Sequence, residues 1–473
     1  MGTFGFKNWI QVALLFVVAS SYAQERPNVL FIVVDDLNDM IGSYGDSQVK
    51  TPHLDRLAER SLQFDLAMSS SPLCNPSRTA VLTGLPAYVT GIYENNHSFR
   101  DIPEFADWVT LPQYFRKHGY RALAGGKVFH KAAGKHSDPQ SWDEIYHDKS
   151  GTAAPGDEQR WQHGMKGEFA LDYYNKAIDW AALDTPKEET IDWQTADKAA
   201  KILSEESEQP LFLAVGIFRP HLPWYAPKEF FDMYPLESIQ LPKTRAGDLE
   251  DVGPIGRKMA GGQAQSVIEK HGKWREAVRA YLANVSYADA CVGHLLDALE
   301  KSPHADNTIV VLWGDHGFHL GEKEHWEKYT LWERANRTAL YISAPGVTKA
   351  GSVSPRPVAL IDLQSTLIEL CGLPARDDIY GKSLVPLLKK PHRKWHPALM
   401  THYPNNHAVR DVRYRYIRYA DGFEELYDHR NDPHEFENIA GTPEAKAIIK
   451  RLRRELPKEN AGWPDYERTL NQH

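Results

Sequence analysis

The chain has 473 residues, of which 42% are hydrophobic and 25% are charged, and its formal net charge is −8. This composition is typical of a folded globular protein and excludes a disordered or collagen-like chain. The negative balance argues against a general nucleic-acid binder, because phosphate backbones attract basic surfaces. The cysteines are few and odd in number, which excludes a disulfide framework and leaves at least one thiol to explain: Cys74, Cys291 and Cys371.

The first 23 residues have the order of a secretory signal peptide. One basic residue, Lys7, precedes an apolar run over residues 9–18, and small residues follow up to Ala23. We expect cleavage between Ala23 and Gln24, and therefore export of the protein into the periplasm or beyond. The alternative is a membrane anchor, but the apolar run is only about half of the roughly 20 residues that a spanning helix needs. The sequence thus predicts a signal peptide over residues 1–23 and no membrane span after its removal.

Three unbroken apolar runs each end at or near a polar cluster. They cover residues 29–34, 211–217 and 309–313, and such runs predict buried strands with both faces covered. Helical patterns alternate with them, at residues 51–66, 76–85, 193–204 and 274–301. This alternation predicts an α/β fold with a large, mostly parallel or mixed sheet between helices. Ligands of such sheets gather at the carboxyl ends of the strands, where these polar clusters fall.

The pattern changes near residue 391. Residues 408–427 alternate in the manner of strands, with a turn at Asp421-Gly422, and a basic helix is predicted over residues 443–456. We therefore divide the mature chain into a catalytic domain over residues 24–392 and a smaller α+β subdomain with an antiparallel sheet over residues 393–473. Three arginines on these strands are either strand-face charges or substrate contacts: Arg410, Arg413 and Arg415. Residues 130–170 are predicted to form a long surface loop.

Carboxylates follow two of the predicted strands. Asp35 and Asp36 close the first strand, and Asp315 with His316 closes another. An adjacent acidic pair alone is compatible with a solvated turn or a helix N-cap. Three carboxylates at one sheet edge repel each other unless a cation or tight hydrogen bonding compensates. The combination favours a site for a hard cation, Ca²⁺ or Mg²⁺ rather than zinc.

Cys74 has an unusual setting. Pro76 suits the first turn of a helix, so Cys74 is predicted to lie just before the helix N-terminus, where N–H groups and the helix dipole favour an anion. Arg78 lies one turn further on the same face and adds a fixed positive charge. A lone cysteine is usually a small buried hydrophobe, and we keep that interpretation for Cys291 and Cys371.

Here the chain resembles a known family. The segment C-N-P-S-R at residues 74–78, followed by L-T-G at 82–84, is similar to the signature of the formylglycine-dependent sulfatases. Further matching segments have the order and spacing of the iduronate-2-sulfatase branch: RPNVLFIVVDDLND at 26–39, GKVFH at 126–130, FLAVGIFRPHLP at 212–223, DHGFHLGE at 315–322 and WEKY at 326–329. The similarity covers most of residues 26–345 and, more loosely, residues 414–439. It implies an alkaline-phosphatase-like fold.

The resemblance also implies roles for individual residues. One Ca²⁺ per chain would be held by Asp35, Asp36, Asp315 and His316, together with an oxygen of residue 74 after Cys74 is oxidised to formylglycine. A maturation enzyme, either a formylglycine-generating enzyme or another sulfatase-maturing enzyme, would carry out that oxidation. The remaining implied catalytic and substrate-binding residues are Arg78, Lys127, His130, His221 and Lys328.

The implied reaction is covalent catalysis with general acid–base assistance. One oxygen of the hydrated formylglycine would attack sulfur, while Arg78, Lys127, Lys328 and the metal neutralise the charge of the sulfuryl group. His221 would protonate the departing sugar oxygen. His130 would deprotonate the remaining hydroxyl, so that sulfate leaves and the aldehyde re-forms.

Three hypotheses remain open at this point. The first is an exported sulfatase that acts on a sulfated carbohydrate, such as a uronic acid 2-sulfate or an algal polysaccharide. The second is a phosphate or phosphonate monoester hydrolase of the same fold, since tetrahedral anions resemble each other in charge and size. The third is a carbohydrate-binding protein with an inactive site, which the complete set of polar residues argues against.

Overall fold

The computed structural model describes residues 26–151 and 178–464. The predicted signal peptide at 1–23 and much of the predicted loop at 130–170 lie outside these ranges. The strands, in chain order, are β1 (Asn28–Val34), β2 (Leu62–Met68), β3 (Arg121–Gly126), β4 (Glu144–His147), β5 (Trp180–Leu183), β6 (Leu211–Ile217), β7 (Trp224–Pro227), β8 (Thr308–Gly314), β9 (His319–Leu320), β10 (Trp326–Glu327), β11 (Arg337–Thr338), β12 (Leu340–Ser343), β13 (Ser352–Ala359), β14 (Ala398–Thr401), β15 (His407–Arg410), β16 (Tyr414–Arg418) and β17 (Glu424–Asp428).

The α-helices of the described ranges surround these strands. They are, in chain order, α1 (Pro52–Arg60), α2 (Cys74–Thr83), α3 (Ala87–Thr90), α4 (Leu111–Lys117), α5 (Ile191–Ser204), α6 (Lys228–Asp232), α7 (Pro254–Ala260), α8 (Gln263–Lys270), α9 (Trp274–Glu300), α10 (Glu333–Asn336), α11 (Asp362–Leu370), α12 (Val385–Lys389) and α13 (Ala445–Leu452). Short 3₁₀ turns connect several of them.

A nine-stranded mixed sheet forms the core of the molecule. Its strand order is β11-β2-β12-β8-β1-β6-β3-β4, and β13 pairs in parallel with β2. The central strands β8, β1, β6 and β3 are parallel neighbours, while β12 is antiparallel to β8 and to β2. The sequence prediction of a large mostly parallel or mixed sheet is confirmed.

Strand β1 shows why both faces of this sheet are covered. Its alternate side chains Leu30 and Ile32 belong to the apolar core on the side of α5 and α9. Val29 and Phe31 belong to the core on the other side, which α2, α4 and α11 help to form. Successive side chains of a strand point to opposite faces, so a strand buried on both faces reads as an unbroken apolar run.

The predicted helix over residues 51–66 is wrong in its second half. Helix α1 ends at Arg60, and Leu62 begins strand β2. Residues of β2 pair with β11, β12 and β13, so the partners of this strand come from residues 337–359, far along the chain. The local apolar spacing permitted a helix, but pairing with distant strands decides the structure.

The C-terminal part contains a second sheet, which is antiparallel and has the order β14-β15-β16-β17. The predicted strand run over residues 408–427 is divided by a turn before Tyr414 as well as by the predicted turn at Asp421-Gly422. Helix α13 covers this sheet and is followed by a short 3₁₀ turn, within the predicted helix at 443–456. The boundary at residues 392 and 393 stays a prediction. Within the described part of the chain, no helix combines the length and the apolar character needed to cross a bilayer.

Candidate active site

The main sheet brings four strand ends to one edge. Val34 of β1 lies opposite Ile217 of β6 and Gly314 of β8 in the parallel register. Gly126, the last residue of β3, lies opposite Gly216 of β6. The residues that follow these strands therefore emerge side by side. This is the edge at which a ligand site was predicted.

Acidic side chains meet at this edge. Asp35, Asp36 and Asp315 are fully buried. Asp36 has a φ of 59°, a conformation that non-glycine residues rarely adopt, and its N–H donates to Asp315 Oδ1 at 3.0 Å. Ligand atoms of Asp35, Asp36, Cys74 and His316 all lie within 4.8 Å of one another. This group is compact enough to surround a single cation.

Asp315 lies beside this compact group rather than within it. Its Oδ1 accepts the N–H groups of Asp36 and His316, at 3.0 and 3.1 Å, and its Oδ2 accepts Arg78 Nε at 2.8 Å. Asp315 Oδ2 is 3.6 Å from His316 Nε2. Both carboxylate oxygens of Asp315 thus orient neighbouring residues, and its part as a metal ligand stays a prediction.

Helix α2 presents Cys74 and Arg78 to the same edge. Cys74 was predicted to lie just before this helix, but the helix begins at Cys74 itself. Cys74 therefore lies in the first turn. Arg78 is fully buried, and besides contacting Asp315 it places Nη2 3.1 Å from Asp35 Oδ1. Its Nη1 donates to the carbonyl of Val128 at 3.1 Å. A planar guanidinium with five donors suits this task, since one side chain contacts two carboxylates and the backbone.

Two buried lysines pair with the other carboxylate oxygens. Lys127, the residue after β3, forms an ion pair with Asp35, and Lys328 Nζ lies 2.6 and 2.9 Å from the two oxygens of Asp36. Burial alone would lower the pKa of each ammonium, but the nearby carboxylates outweigh burial and raise it. Three carboxylates therefore face three side chains that stay positively charged.

This charge distribution acts on residue 74. Cys74 Sγ is 3.3 Å from His316 Nε2, and the nearby His130 also favours the thiolate form. Burial alone would raise the pKa of the thiol, but the positive charges of Lys127, Lys328 and His316 hold this pKa well below its usual value. An environment that stabilises negative charge at residue 74 can also stabilise a bound anion.

His130 and His221 approach from two loops. Burial lowers the pKa of His130 to about 4, so the ring is neutral at neutral pH and can accept a proton. Nδ1 of His221 is 2.6 Å from the carbonyl oxygen of Leu222, which assigns the proton of Nδ1 to that bond. Arg219 donates to the carbonyl of His221 at 2.9 Å and holds its backbone. Nε2 is therefore the atom of His221 that can exchange a proton with a ligand.

Two acidic residues near the site were missed by the sequence analysis. Asp192, in the first turn of α5, accepts two backbone N–H groups of the loop after β6 at 2.9 Å each, and so holds the loop that carries His221. Glu327 is buried next to Lys328, and burial raises its pKa to about 7. Glu327 could have been predicted, because it directly precedes the predicted site residue Lys328 in the sequence. Nothing in the local sequence distinguished Asp192.

The arginines of the C-terminal sheet have acidic partners within the protein. Arg410 and Arg415 are buried, and both bond to Glu333 of α10, at 2.9 and 2.6 Å. Arg413 pairs with Asp428 at 2.6 Å. The first two arginines connect the C-terminal sheet to α10, and the third connects the turn before β16 to β17. This arrangement favours the structural interpretation over contact with a substrate.

The donor set fits a divalent cation. Asp35 Oδ1 is buried and makes no hydrogen bond to any described residue, although Arg78 Nη2 is near, so it is available as a ligand. Carboxylate oxygens are the ligands that Ca²⁺ and Mg²⁺ prefer, and the single imidazole of His316 is compatible with several divalent ions. The residues present therefore match the group that the sequence predicted.

The architecture of the main sheet places the chain in the class of proteins with the alkaline-phosphatase-like fold. Two of the solved structures that share this fold match most of both chains. One is bound to its substrate D-glucosamine-2-N,6-O-disulfate, with a TM-score of 0.71, 23% identity and coverage of 91% of this chain and 96% of the other. The other is the phosphonate monoester hydrolase of Agrobacterium radiobacter, with a TM-score of 0.73, 21% identity and coverage of 91% and 94%.

Sequence comparisons define the family within this class. The sulfatase family model matches residues 27–373, and the model of the N-sulphoglucosamine sulphohydrolase C-terminal region matches residues 321–462. The chain is 40% identical over 456 residues to a sulfatase of Formosa agariphila, covering 93% of this chain and 88% of that relative. It is 33% identical over 408 residues to mouse iduronate 2-sulfatase, covering 77% and 72%. The chain belongs to the sulfatase family and is a sulfuric ester hydrolase, which confirms the family assigned from the motifs.

Proposed function

We propose that this protein is an exported sulfatase that removes a sulfate ester from a glycan, with a uronic acid 2-sulfate as its first candidate substrate. The observation that carries the proposal is the setting of Cys74, which is buried at the carboxyl edge of the sheet among Arg78, Lys127 and Lys328. These charges suit a sulfate group. The likeness to mouse iduronate 2-sulfatase supports the choice of sugar.

The nucleophile in this proposal is made from Cys74. A maturation enzyme oxidises the thiol to formylglycine, whose hydrated form supplies the attacking oxygen and releases sulfate when its carbonyl re-forms. The thiol is fully buried in the folded chain, so the maturation enzyme must act before this region folds. The predicted signal peptide at residues 1–23 is consistent with modification of an extended chain during export.

A divalent cation, Ca²⁺ in the first instance, completes the site. Asp35, Asp36, His316 and Asp315 would hold it together with residue 74. When bound, it supplies positive charge that stabilises the sulfuryl group and the nucleophilic oxygen. The side chains that pair with these carboxylates, Lys127 and Lys328, then become available to the sulfate oxygens.

Two histidines and one carboxylate move the protons. As the attacking hydroxyl of residue 74 bonds to sulfur, its proton passes to a neighbouring carboxylate of the site, Asp35 or Asp36, whose ligand oxygens lie within 4.8 Å of this side chain. His221 donates a proton from Nε2 to the sugar oxygen as the bond between that oxygen and sulfur breaks, so the sugar leaves as a neutral alcohol. His130, whose lowered pKa keeps it neutral, accepts the proton of the second hydroxyl of residue 74. The electrons of that O–H bond form the carbonyl, and sulfate departs with the electrons of its bond to carbon. Arg78 is already oriented by two carboxylates and binds sulfate with little rearrangement.

Mass spectrometry of the peptide that contains residue 74 tests the proposed nucleophile. We expect an aldehyde in place of the thiol, and Cys74→Ala should abolish sulfate release without unfolding the protein. Cys371→Ala is the matched control, since Cys371 is also buried but lies at the end of α11 beside a groove at the opposite end of β1. An active enzyme with an unmodified thiol at position 74 would refute the mechanism.

A panel of sulfated sugars tests the substrate. It contains oligosaccharides with a terminal uronic acid 2-sulfate, sulfated algal oligosaccharides, and the matching phosphate and phosphonate esters. We expect sulfate release from at least one glycan, at a much higher kcat/KM than for any phosphorus ester. Turnover of the phosphorus esters alone would refute the proposal and establish the alternative hydrolase.

A further inference from the structure

Three loops that are far apart in the sequence contact the segment just before and after Cys74. The N–H of Tyr329 donates to the carbonyl of Pro72 at 3.2 Å. The hydroxyl of Ser71 donates to the carbonyl of Thr401 at 2.6 Å. The loop that contains Glu94 is tied to Asn75, whose Nδ2 donates to the Glu94 carbonyl at 2.8 Å. Side chains of these loops therefore lie next to the candidate active site.

Aromatic rings of two of these loops and of the C-terminal segment form a continuous row, which we call the aromatic ridge and define as Tyr329, His402, Tyr403 and Trp463. Ring centroids are 6.2 Å apart for the first pair, 3.9 Å for the second and 5.4 Å for the third. The row begins at the neighbour of Lys328 and ends at a tryptophan that is 40% exposed. It thus leads from the sulfate-binding lysine to the protein surface.

The outer end of the ridge is held in place by the C-terminal segment. The N–H of Ala461 donates to the carbonyl of Tyr88 at 2.7 Å, and the hydroxyl of Tyr93 donates to the carbonyl of Ala461 at 2.7 Å. The Trp463 ring then makes edge contacts with Tyr93 and His97, at 5.4 and 5.8 Å. Trp463 is the most exposed tryptophan within residues 26–151 and 178–464. A fixed and exposed aromatic face beside a catalytic site is typical of a ligand contact.

Backbone conformation gives a second reason to assign a role to the ridge. Tyr329 and Tyr403 have φ values of 73° and 60°, in the left-handed region that bulky residues rarely adopt. Each such residue destabilises the folded chain unless its surroundings enforce it, and strained residues of this kind gather at binding sites. Both strained residues belong to the same row of rings.

Glu94 adds a carboxylate to one side of the ridge. Glu94 lies within electrostatic range of Tyr403 and Tyr329, where its negative charge adds to burial in raising the pKa of both phenols. A carboxylate accepts hydrogen bonds from sugar hydroxyls or an amino group, but it repels sulfate and other anions. The chemistry therefore differs from that of the cationic site around Arg78.

We propose that the aromatic ridge and Glu94 form a second sugar subsite, which binds an unsulfated pyranose ring joined to the sulfated sugar in the Cys74 site. The C–H face of the ring packs on Trp463 and Tyr403, and its hydroxyls bond to Glu94. This subsite rests on the proposed glycan sulfatase function and deepens it, because it makes the preferred substrate an oligosaccharide whose second ring carries no sulfate.

The test compares two substrates that share the same sulfated terminal sugar, a methyl monosaccharide and a disaccharide with an unsulfated second ring. For Trp463→Ala we expect kcat/KM for the disaccharide to fall about tenfold, through a higher KM with kcat unchanged, as for the loss of one aromatic stacking partner. The monosaccharide should be hydrolysed as by the wild type. Trp463→Phe should restore most of the loss, and Met233→Ala, which removes another exposed apolar side chain, should change neither substrate.

A second variant tests the carboxylate without disturbing the rings. The third substrate is a disaccharide whose second ring carries a sulfate. For Glu94→Gln we expect the ratio of kcat/KM for the unsulfated disaccharide to kcat/KM for this sulfated one to fall about tenfold, with the melting temperature unchanged. Equal losses on monosaccharide and disaccharide for Trp463→Ala, or no loss on the disaccharide, would refute the subsite while leaving the sulfatase function intact. If the wild-type enzyme releases sulfate from no glycan of the substrate panel, the proposed function itself is refuted, and the subsite with it.

Discussion

Replacing Arg78 with alanine would leave two buried carboxylates without their guanidinium partner. Arg78 Nε is 2.8 Å from Asp315 Oδ2, Nη2 is 3.1 Å from Asp35 Oδ1, and all three side chains are inaccessible to solvent. At an effective dielectric constant of about 20, each contact corresponds to a Coulomb attraction of roughly 5 kcal/mol. Much of that attraction offsets the desolvation of the charges, so the net loss expected from breaking a buried pair is about 3–5 kcal/mol.

Thermal unfolding in the presence of a chelator measures this loss. For a chain of this size, 3–5 kcal/mol corresponds to a midpoint about 3–5 °C lower. Arg60→Ala is the matched control, because Arg60 pairs with Glu300 at 3.0 Å on the surface, where such pairs contribute about 0–1 kcal/mol. Added Ca²⁺ should reduce the loss for Arg78→Ala, since the cation compensates the unpaired carboxylates. A loss no larger than that of the control would refute the electrostatic account of this site.

Three further outcomes are expected. Asp192→Asn should lower kcat with little change in KM, because the loop that carries His221 loses one of its carboxylate acceptors; an unchanged kcat would contradict this role. Burial raises the pKa of Asp289 to about 7, so the native state binds more protons than the unfolded state from about pH 4 to 7 and the stability contributed by Asp289 falls over that range. The free energy of unfolding, measured with urea, should therefore decrease with rising pH by up to about 1.4 kcal/mol per pH unit more in the wild type than in Asp289→Asn. Parallel pH profiles for variant and wild type would refute the raised pKa. Removal of divalent ions should lower the melting temperature and abolish turnover, with Ca²⁺ restoring both; recovery with Zn²⁺ alone would contradict the preference for oxygen ligands.

The residues at the carboxyl edge of the main sheet could be predicted because local patterns mark them. An apolar run that ends in Asp35-Asp36, and another that ends in Asp315-His316, indicate buried strands and place their polar ends at one edge of a parallel sheet. The segment around Cys74 indicated a helix start by its proline and a family by its motif. The sulfate-binding role predicted for Lys127 and Lys328 and the proton-transfer roles predicted for His130 and His221 came from the resemblance, since isolated lysines and histidines carry no such signal.

Features that depend on contacts between residues far apart in the sequence could be seen only in the tertiary structure. Residues 62–68 have an apolar spacing that a helix could use, but they form a strand because strands from residues 337–359 supply its hydrogen bonds. Arg415 has the alternation of an exposed strand residue, yet it is buried against Glu333. The aromatic ridge combines residues 329, 402, 403 and 463, whose proximity no local pattern shows. The sequence by itself thus determined the fold class and the chemistry at the strand ends, whereas contacts between distant segments decided the shape of the site and its surroundings.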